Sequence, residues 1–136
     1  MFFGGIDTNL TLPARFYTSN EIFEEELERI FYSKWIYVAC DADIPKPGDY
    51  VALKIGKRSF FLQRNERGEV RGFYNVCRHR GHELVQGEKG NCKRIICPYH
   101  NWAYNLDGNL QHARGMDSDF PKEDFGLNSI EVAVIG

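Results

Sequence analysis

The sequence predicts a mainly β fold, an antiparallel sandwich or barrel preceded by one amphipathic helix. Three observations carry this expectation. Short segments rich in β-branched and aromatic residues follow one another at close spacing from residue 35 onward, as they do in all-β domains. Turn-forming residues stand between them, including an Asp-Gly step at 107–108 flanked by strand patterns. Helical periodicity marks a single stretch near the N-terminus.

Residues 1–18 read as an extended leader, because Pro13 discourages helix there. Thr18 and Glu21 have capping-box spacing and open the stretch NEIFEEELERIFYSKW. Within it Ile22, Phe23, Leu27, Ile30 and Phe31 recur at helical intervals, and glutamates crowd the first turns, where the helix dipole favours them. A helix is therefore expected over 19–33. Strands are expected over 35–40, 50–55, 59–64, 70–76, 92–97, 102–106, 109–113 and 129–135. Turns are expected at 44–49, Gly56-Lys57, Asn65 to Gly68, Glu88 to Asn91 and Asp107-Gly108. The intervals 77–91 and 97–101 show no clean period and should be loops.

The 136 residues fit one domain, with 43% apolar and 26% charged content. A net charge of −2 gives no reason to expect nucleic acid or an anionic membrane as partner. No window approaches the roughly 20 apolar residues of a membrane span. The opening MFFGGIDTNLTLP lacks a basic region and holds Asp7, unlike a secretory signal. A cytoplasmic location follows by default, where the four cysteines are ligands or free thiols rather than disulfides.

Two motifs lie on the two expected loops: Cys77-Arg78-His79 and Cys97-Pro98-Tyr99-His100, with 17 residues between His79 and Cys97. Each loop offers one thiolate and one imidazole at a tip held by strands. Two such loops can pinch a binuclear iron–sulfur centre, cysteines on one iron and histidines on the other. A structural zinc ion is the other occupant that two Cys and two His would suit. Zinc motifs, however, usually pair like ligands, whereas each motif here mixes one of each.

Cys-x-His-Arg-Gly at 77–81 and Cys-Pro-Tyr-His-x-Trp at 97–102 resemble the Rieske motif, in the form seen in large subunits of Rieske non-haem iron oxygenases. The resemblance implies a Rieske-type antiparallel β-sandwich over 19–136, with a cluster-binding subdomain of two loops at about 74–106. It also implies that Cys77, His79, Cys97 and His100 hold a 2Fe–2S cluster. An oxidised cluster with two thiolates and two neutral imidazoles has no net charge, against minus two with four thiolates, so it takes up an electron more readily. Rieske potentials accordingly span roughly −150 to +300 mV, against about −400 mV for all-cysteine plant-type centres.

Gly81 and Pro98 are expected to shape the loops. Respiratory-type relatives carry a second cysteine in each loop, joined as a disulfide; His82 and Tyr99 occupy those positions here. The same branch carries a serine that donates to the cluster where this chain has Trp102, which argues for the lower part of the Rieske potential range. His82 and His112 read as surface or packing residues, and Cys40 and Cys92 as small buried hydrophobes on strands. Asn101 stands where relatives often have glycine. Arg78, Arg80, Lys89, Lys93 and Arg94 outnumber Glu83 and Glu88, a local basic excess suited either to steering an acidic electron donor or to a solvated face.

The resemblance implies one-electron transfer as the electron-accepting domain of an oxygenase large subunit, mono- or dioxygenase. The electron donor would be a ferredoxin or flavin-dependent reductase. The recipient would be a mononuclear Fe(II) in a catalytic domain, in the family often that of a neighbouring subunit of a trimer. No Asp/Glu-x2-His-x4-His pattern for such an iron exists in these residues, so the chain alone should not hydroxylate. Its end at EVAVIG, inside an expected strand, adds the expectation of an incomplete chain. A free-standing Rieske ferredoxin is the alternative function. CRHRGHEL with CPYHNW is similar both to oxygenases of quaternary ammonium compounds and to those of aromatic acids, so these motifs do not choose a substrate.

Overall fold

The computed structural model describes residues 11–136. It divides into a short N-terminal unit ending at Tyr37 and a larger unit, Val38–Gly136, that contains every strand found among the described residues.

In the N-terminal unit, helix α1 (Arg15–Thr18) is followed by α2 (Asn20–Glu26) and a π-helical turn, Leu27–Phe31. The expected leader is thus helical at 15–18, and its first ten residues lie outside the described part. The expected helix over 19–33 is real but interrupted. Its N-cap is Ser19, whose hydroxyl accepts from Ile22 N–H at 3.4 Å. Thr18 does not cap it; its hydroxyl donates to the Ala14 carbonyl at 3.1 Å, one turn back. The expected strand over 35–40 does not form. Trp35 and Tyr37 are exposed there, and no ladder partner pairs with the segment among the described residues. β-rich composition extends a chain, but a strand exists only where a neighbour accepts its hydrogen bonds.

The larger unit carries β1 (Asp49–Ile55), β2 (Arg58–Arg64), β3 (Val70–Tyr74), β4 (Lys89–Asn91), β5 (Ile95–Ile96), β6 (Ala103–Tyr104), β7 (Leu110–His112) and β8 (Ser129–Ile130). A five-stranded antiparallel sheet runs β4-β1-β2-β3-β8, and a three-stranded antiparallel sheet runs β5-β6-β7. The turns at Gly56-Lys57 and at Asn65 to Gly68 join β1 to β2 and β2 to β3, as expected. Lys89–Asn91, expected as a turn, is instead β4. It pairs with β1 through Asp49↔Asn91 and Val51↔Lys89, a non-local partner that turn propensity does not reveal.

Side chains of both sheets meet in one core that includes Phe61, Phe73, Ile95, Trp102, Tyr104 and Leu110. Gly108, in the Asp107-Gly108 turn, has φ +83 and packs so closely that a Cβ would strike the Phe73 ring. Among the described residues no helix is long and apolar enough to cross a membrane.

Candidate metal centre

The two loops that carry the Cys-x-His and Cys-x2-His motifs leave the core at the same place. Cys77 and Cys97 are 2% and 1% exposed, and the two thiols lie against each other. The loops share one backbone device. In the first, Gly81 N–H donates to the Cys77 carbonyl at 3.0 Å and Cys77 N–H to the His82 carbonyl at 2.8 Å. In the second, Asn101 N–H donates to the Cys97 carbonyl at 3.0 Å and Cys97 N–H to the Trp102 carbonyl at 2.8 Å. Each loop is a closed turn that begins on its cysteine and ends in a left-handed residue, Gly81 at φ +72 and Asn101 at φ +58. Asparagine is among the few non-glycine residues that enter this region readily, so Asn101 does the work of the glycine its position calls for.

The histidines close the site from the outer side. The rings of His79 and His100 stand edge-to-face at 4.6 Å and 75°. Trp102, 1% exposed, stacks on His79 at 4.7 Å and 10°, fixing that ring. Trp102 Nε1 donates to the Arg114 carbonyl at 3.3 Å, so its N–H is turned away from the thiols. Tyr99 packs on His100 at 3.8 Å between ring centres, and His82 lies 5.7 Å from Tyr99.

The donor set fits an iron–sulfur cluster. Nδ1 of His79 and Nδ1 of His100 are both buried, and neither has a hydrogen-bond partner. A buried lone pair without a partner is costly in a metal-free protein and is the atom a metal would use. Burial, helped by His79, Arg80 and His82, holds the His100 imidazole below its usual pKa and so favours the neutral form that binds metal. Burial pushes the Cys77 thiol up, opposed by the Tyr104 hydroxyl and the His79 backbone. A two-iron cluster asks two donors of this chain per metal, which two thiolates and two imidazoles supply.

A family model described as the Rieske [2Fe-2S] domain matches residues 34–131. The chain belongs to this family. Its Rieske domain is 49% identical over 109 residues to the carnitine monooxygenase oxygenase subunit of Escherichia coli K12, covering 79% of this chain and 29% of that protein. It is 39% identical over 131 residues to the glycine betaine monooxygenase oxygenase subunit of Pseudomonas aeruginosa, covering 96% of this chain and 30% of that one. A solved structure of a quaternary ammonium Rieske monooxygenase, described for carnitine oxidation and inter-subunit electron transfer, superposes with a TM-score of 0.81. That match is at 40% identity, over 89% of this chain and 34% of the other. The chain therefore spans about 30% of the length of the curated relatives it matches.

Sequence reasoning missed Tyr104. It is fully buried, accepts the Arg78 N–H at 3.1 Å and sits 3.3 Å from Cys77 Sγ. The signal was its place two residues after Trp102 in a short strand, where a polar-tipped aromatic facing the core needs a partner. Burial and the neighbouring Cys77 push its hydroxyl pKa up, so it stays protonated as a donor. Of the other singled-out residues, His112 is exposed on β7, and His82 is half-buried with Nδ1 2.7 Å from the Glu83 carbonyl oxygen. Cys92 is half-buried between β4 and β5, against the expectation of a strand position. Cys40 is exposed rather than buried, because the strand that would have carried it inward does not form.

Proposed function

We propose that this Rieske domain is the electron-accepting part of an oxygenase large subunit. In this reading Cys77 and Cys97 hold one iron, and His79 and His100 hold the other through Nδ1. The observation that carries it is the pair of buried, unpartnered Nδ1 atoms beside two buried thiols. When bound, the cluster supplies a one-electron couple. The chain's own residues set its terms: Tyr104 donates toward Cys77 Sγ, Trp102 fixes the His79 ring, and Nε2 of each histidine is left to carry an exchangeable proton.

Similarity to carnitine and glycine betaine monooxygenase subunits supports a quaternary ammonium substrate for the whole enzyme. A ferredoxin or flavin-dependent reductase would deliver electrons, and a mononuclear iron, of a neighbouring subunit in a trimer, would receive them. The cell compartment in this reading is the cytoplasm. These residues contain no motif for the second iron, so the chain relays electrons without hydroxylating.

The test is anaerobic reconstitution with iron and sulfide, followed by metal analysis and pulsed EPR of the reduced chain. Two irons and two coupled histidine nitrogens are expected, and His100→Cys should leave one nitrogen and lower the midpoint potential by adding negative charge. Unchanged nitrogen coupling in that variant would remove His100 from the ligand set.

A further inference from the structure

The two ligand loops are closed at their bases by different means. The second rests on backbone alone: Ile95 pairs with Tyr104 and Ile96 with Ala103, so a ladder runs up to Cys97 and Trp102. The first has no such ladder. Strand β3 ends at Tyr74, and Leu84 and Val85, on the returning side of the loop, belong to no strand. Both are nonetheless buried, so their peptide groups need partners inside the protein.

The side chain of Asn75 supplies them. Its Oδ1 accepts from the N–H groups of Leu84 and Val85, each at 3.0 Å. Its Nδ2 donates to the Val85 carbonyl at 2.9 Å and to Ser59 Oγ at 3.2 Å. The Asn75 backbone N–H donates to the Ser59 carbonyl at 2.9 Å. A carboxamide carries the same donor and acceptor as a peptide group. By bonding both N–H and C=O of Val85 it reproduces the double exchange of an antiparallel hydrogen-bonded pair. Asn75 is 2% exposed, and both lone pairs of Oδ1 and both hydrogens of Nδ2 are engaged. An apolar residue would fill the same space but leave three buried peptide groups unpaired.

Asn75 stands two residues before Cys77 and four before His79. Its carboxamide therefore ties the entry of the first ligand loop to its exit, and both to β2 through Ser59. We propose that Asn75 is a positioning residue for the cluster: it acts as a one-residue strand that sets the register of the loop carrying Cys77 and His79. This rests on the ligand assignment proposed above. The second loop achieves the same closure with a two-pair ladder, and the first substitutes a side chain for it.

The test uses the cluster-loaded chain with Asn75→Ala, Asn75→Asp and, as control, Gln63→Ala. Gln63 is another fully buried carboxamide, on β2, bonded to Gly48 and Cys92 instead. Three quantities are read: amide exchange at Leu84 and Val85, the rate of cluster loss to a chelator, and the midpoint potential. In Asn75→Ala, exchange at both amides and cluster loss should rise about tenfold or more, the effect of opening buried hydrogen bonds. The midpoint potential should shift as well. Gln63→Ala should lower thermal stability while leaving all three near wild type. Should Asn75→Ala fail to fold, Asn75→Asp keeps the acceptors for both N–H groups but sets an oxygen against the Val85 carbonyl. Faster cluster loss and a shifted potential are expected there too. Cluster loss that follows thermal stability equally at positions 63 and 75, or unchanged exchange at Leu84 and Val85 in Asn75→Ala, would overturn the assignment. A wild-type chain that takes up no cluster would sink the ligand reading itself. A wild-type chain that loads normally beside an Asn75→Ala chain that holds its cluster as well would sink only the role of Asn75.

Discussion

At Tyr104 one hydroxyl serves two neighbours. Because its oxygen accepts the Arg78 N–H, its own hydrogen is free to point at Cys77 Sγ, 3.3 Å away. A donor to a ligand sulfur withdraws charge and favours the reduced cluster, so Tyr104→Phe should lower the midpoint potential in a redox titration. The same change removes the acceptor of the Arg78 N–H and should cost about 0.5–1.5 kcal/mol in denaturant unfolding. Trp102 adds no such donor, since its N–H is spent on the Arg114 carbonyl. An unchanged potential in Tyr104→Phe would mean that the hydroxyl hydrogen points elsewhere.

The two motif loops, taken as elements, are short closed turns whose last residue must enter the left-handed region. Gly81 does so without cost, and Asn101 does so at φ +58. Asn101→Gly should therefore leave stability level or slightly raised, whereas Asn101→Val should cost about 1–2 kcal/mol from backbone strain. Thermal melts of the two variants would check this, and equal melts would show that the turn relaxes. Gly108 poses a harder constraint, for it combines positive φ with contact against the Phe73 ring. Gly108→Ala should cost about 1–3 kcal/mol from crowding, with strain added. Phe73 lies on β3, so the damage should reach the sheet as well as the turn, readable as faster amide exchange along β3. The N-terminal helix shows the opposite case. Its apolar spacing was legible in Ile22, Phe23 and Leu27, but the Ser19 cap and the π turn at Leu27–Phe31 depend on local hydrogen-bond choices that spacing leaves open.

Across the larger unit, a polar knot joins the β2–β3 turn to the turn before β7. Asn65 Nδ2 donates to Glu69 and to Asp107, each at 2.8 Å, and Arg67 bridges the same two carboxylates at 2.9 and 3.1 Å. Arg67 first, then Asn65, holds the Glu69 carboxyl below the usual carboxylate range. A folded-state pKa depressed in this way contributes stability that is complete above the unfolded value, near 4.3. It is lost as pH falls through the lower folded value. Cooling of the thermal midpoint is therefore expected as pH drops from about 5 to about 3. Asp43 and Asp49, also held low by hydrogen bonds, share that acid limb. Glu69→Gln should lower the midpoint near neutrality and converge on wild type in acid. A gap that stays constant with pH would show that the knot does not depend on the Glu69 charge. Arg67 and Glu69 are exposed, so the effect of their charges should be small and reduced by salt.

The sequence by itself determined the family and its cofactor type, through two Cys-His motifs on two loops in a mainly β frame. Those features are local, because ligand type, turn residues and strand alternation are each written within a few positions. Only the tertiary structure decided which expected strands found partners. Among the described residues it left 35–40 without a ladder and drew Lys89–Asn91 onto the β1 edge, since pairing is settled by a neighbour distant in sequence. It also decided how the site is supported. Tyr104 and Asn75 look ordinary along the chain, and their roles arise because folding buries a hydroxyl beside Cys77 and a carboxamide beside unpaired peptide groups, where each polar atom must find a partner.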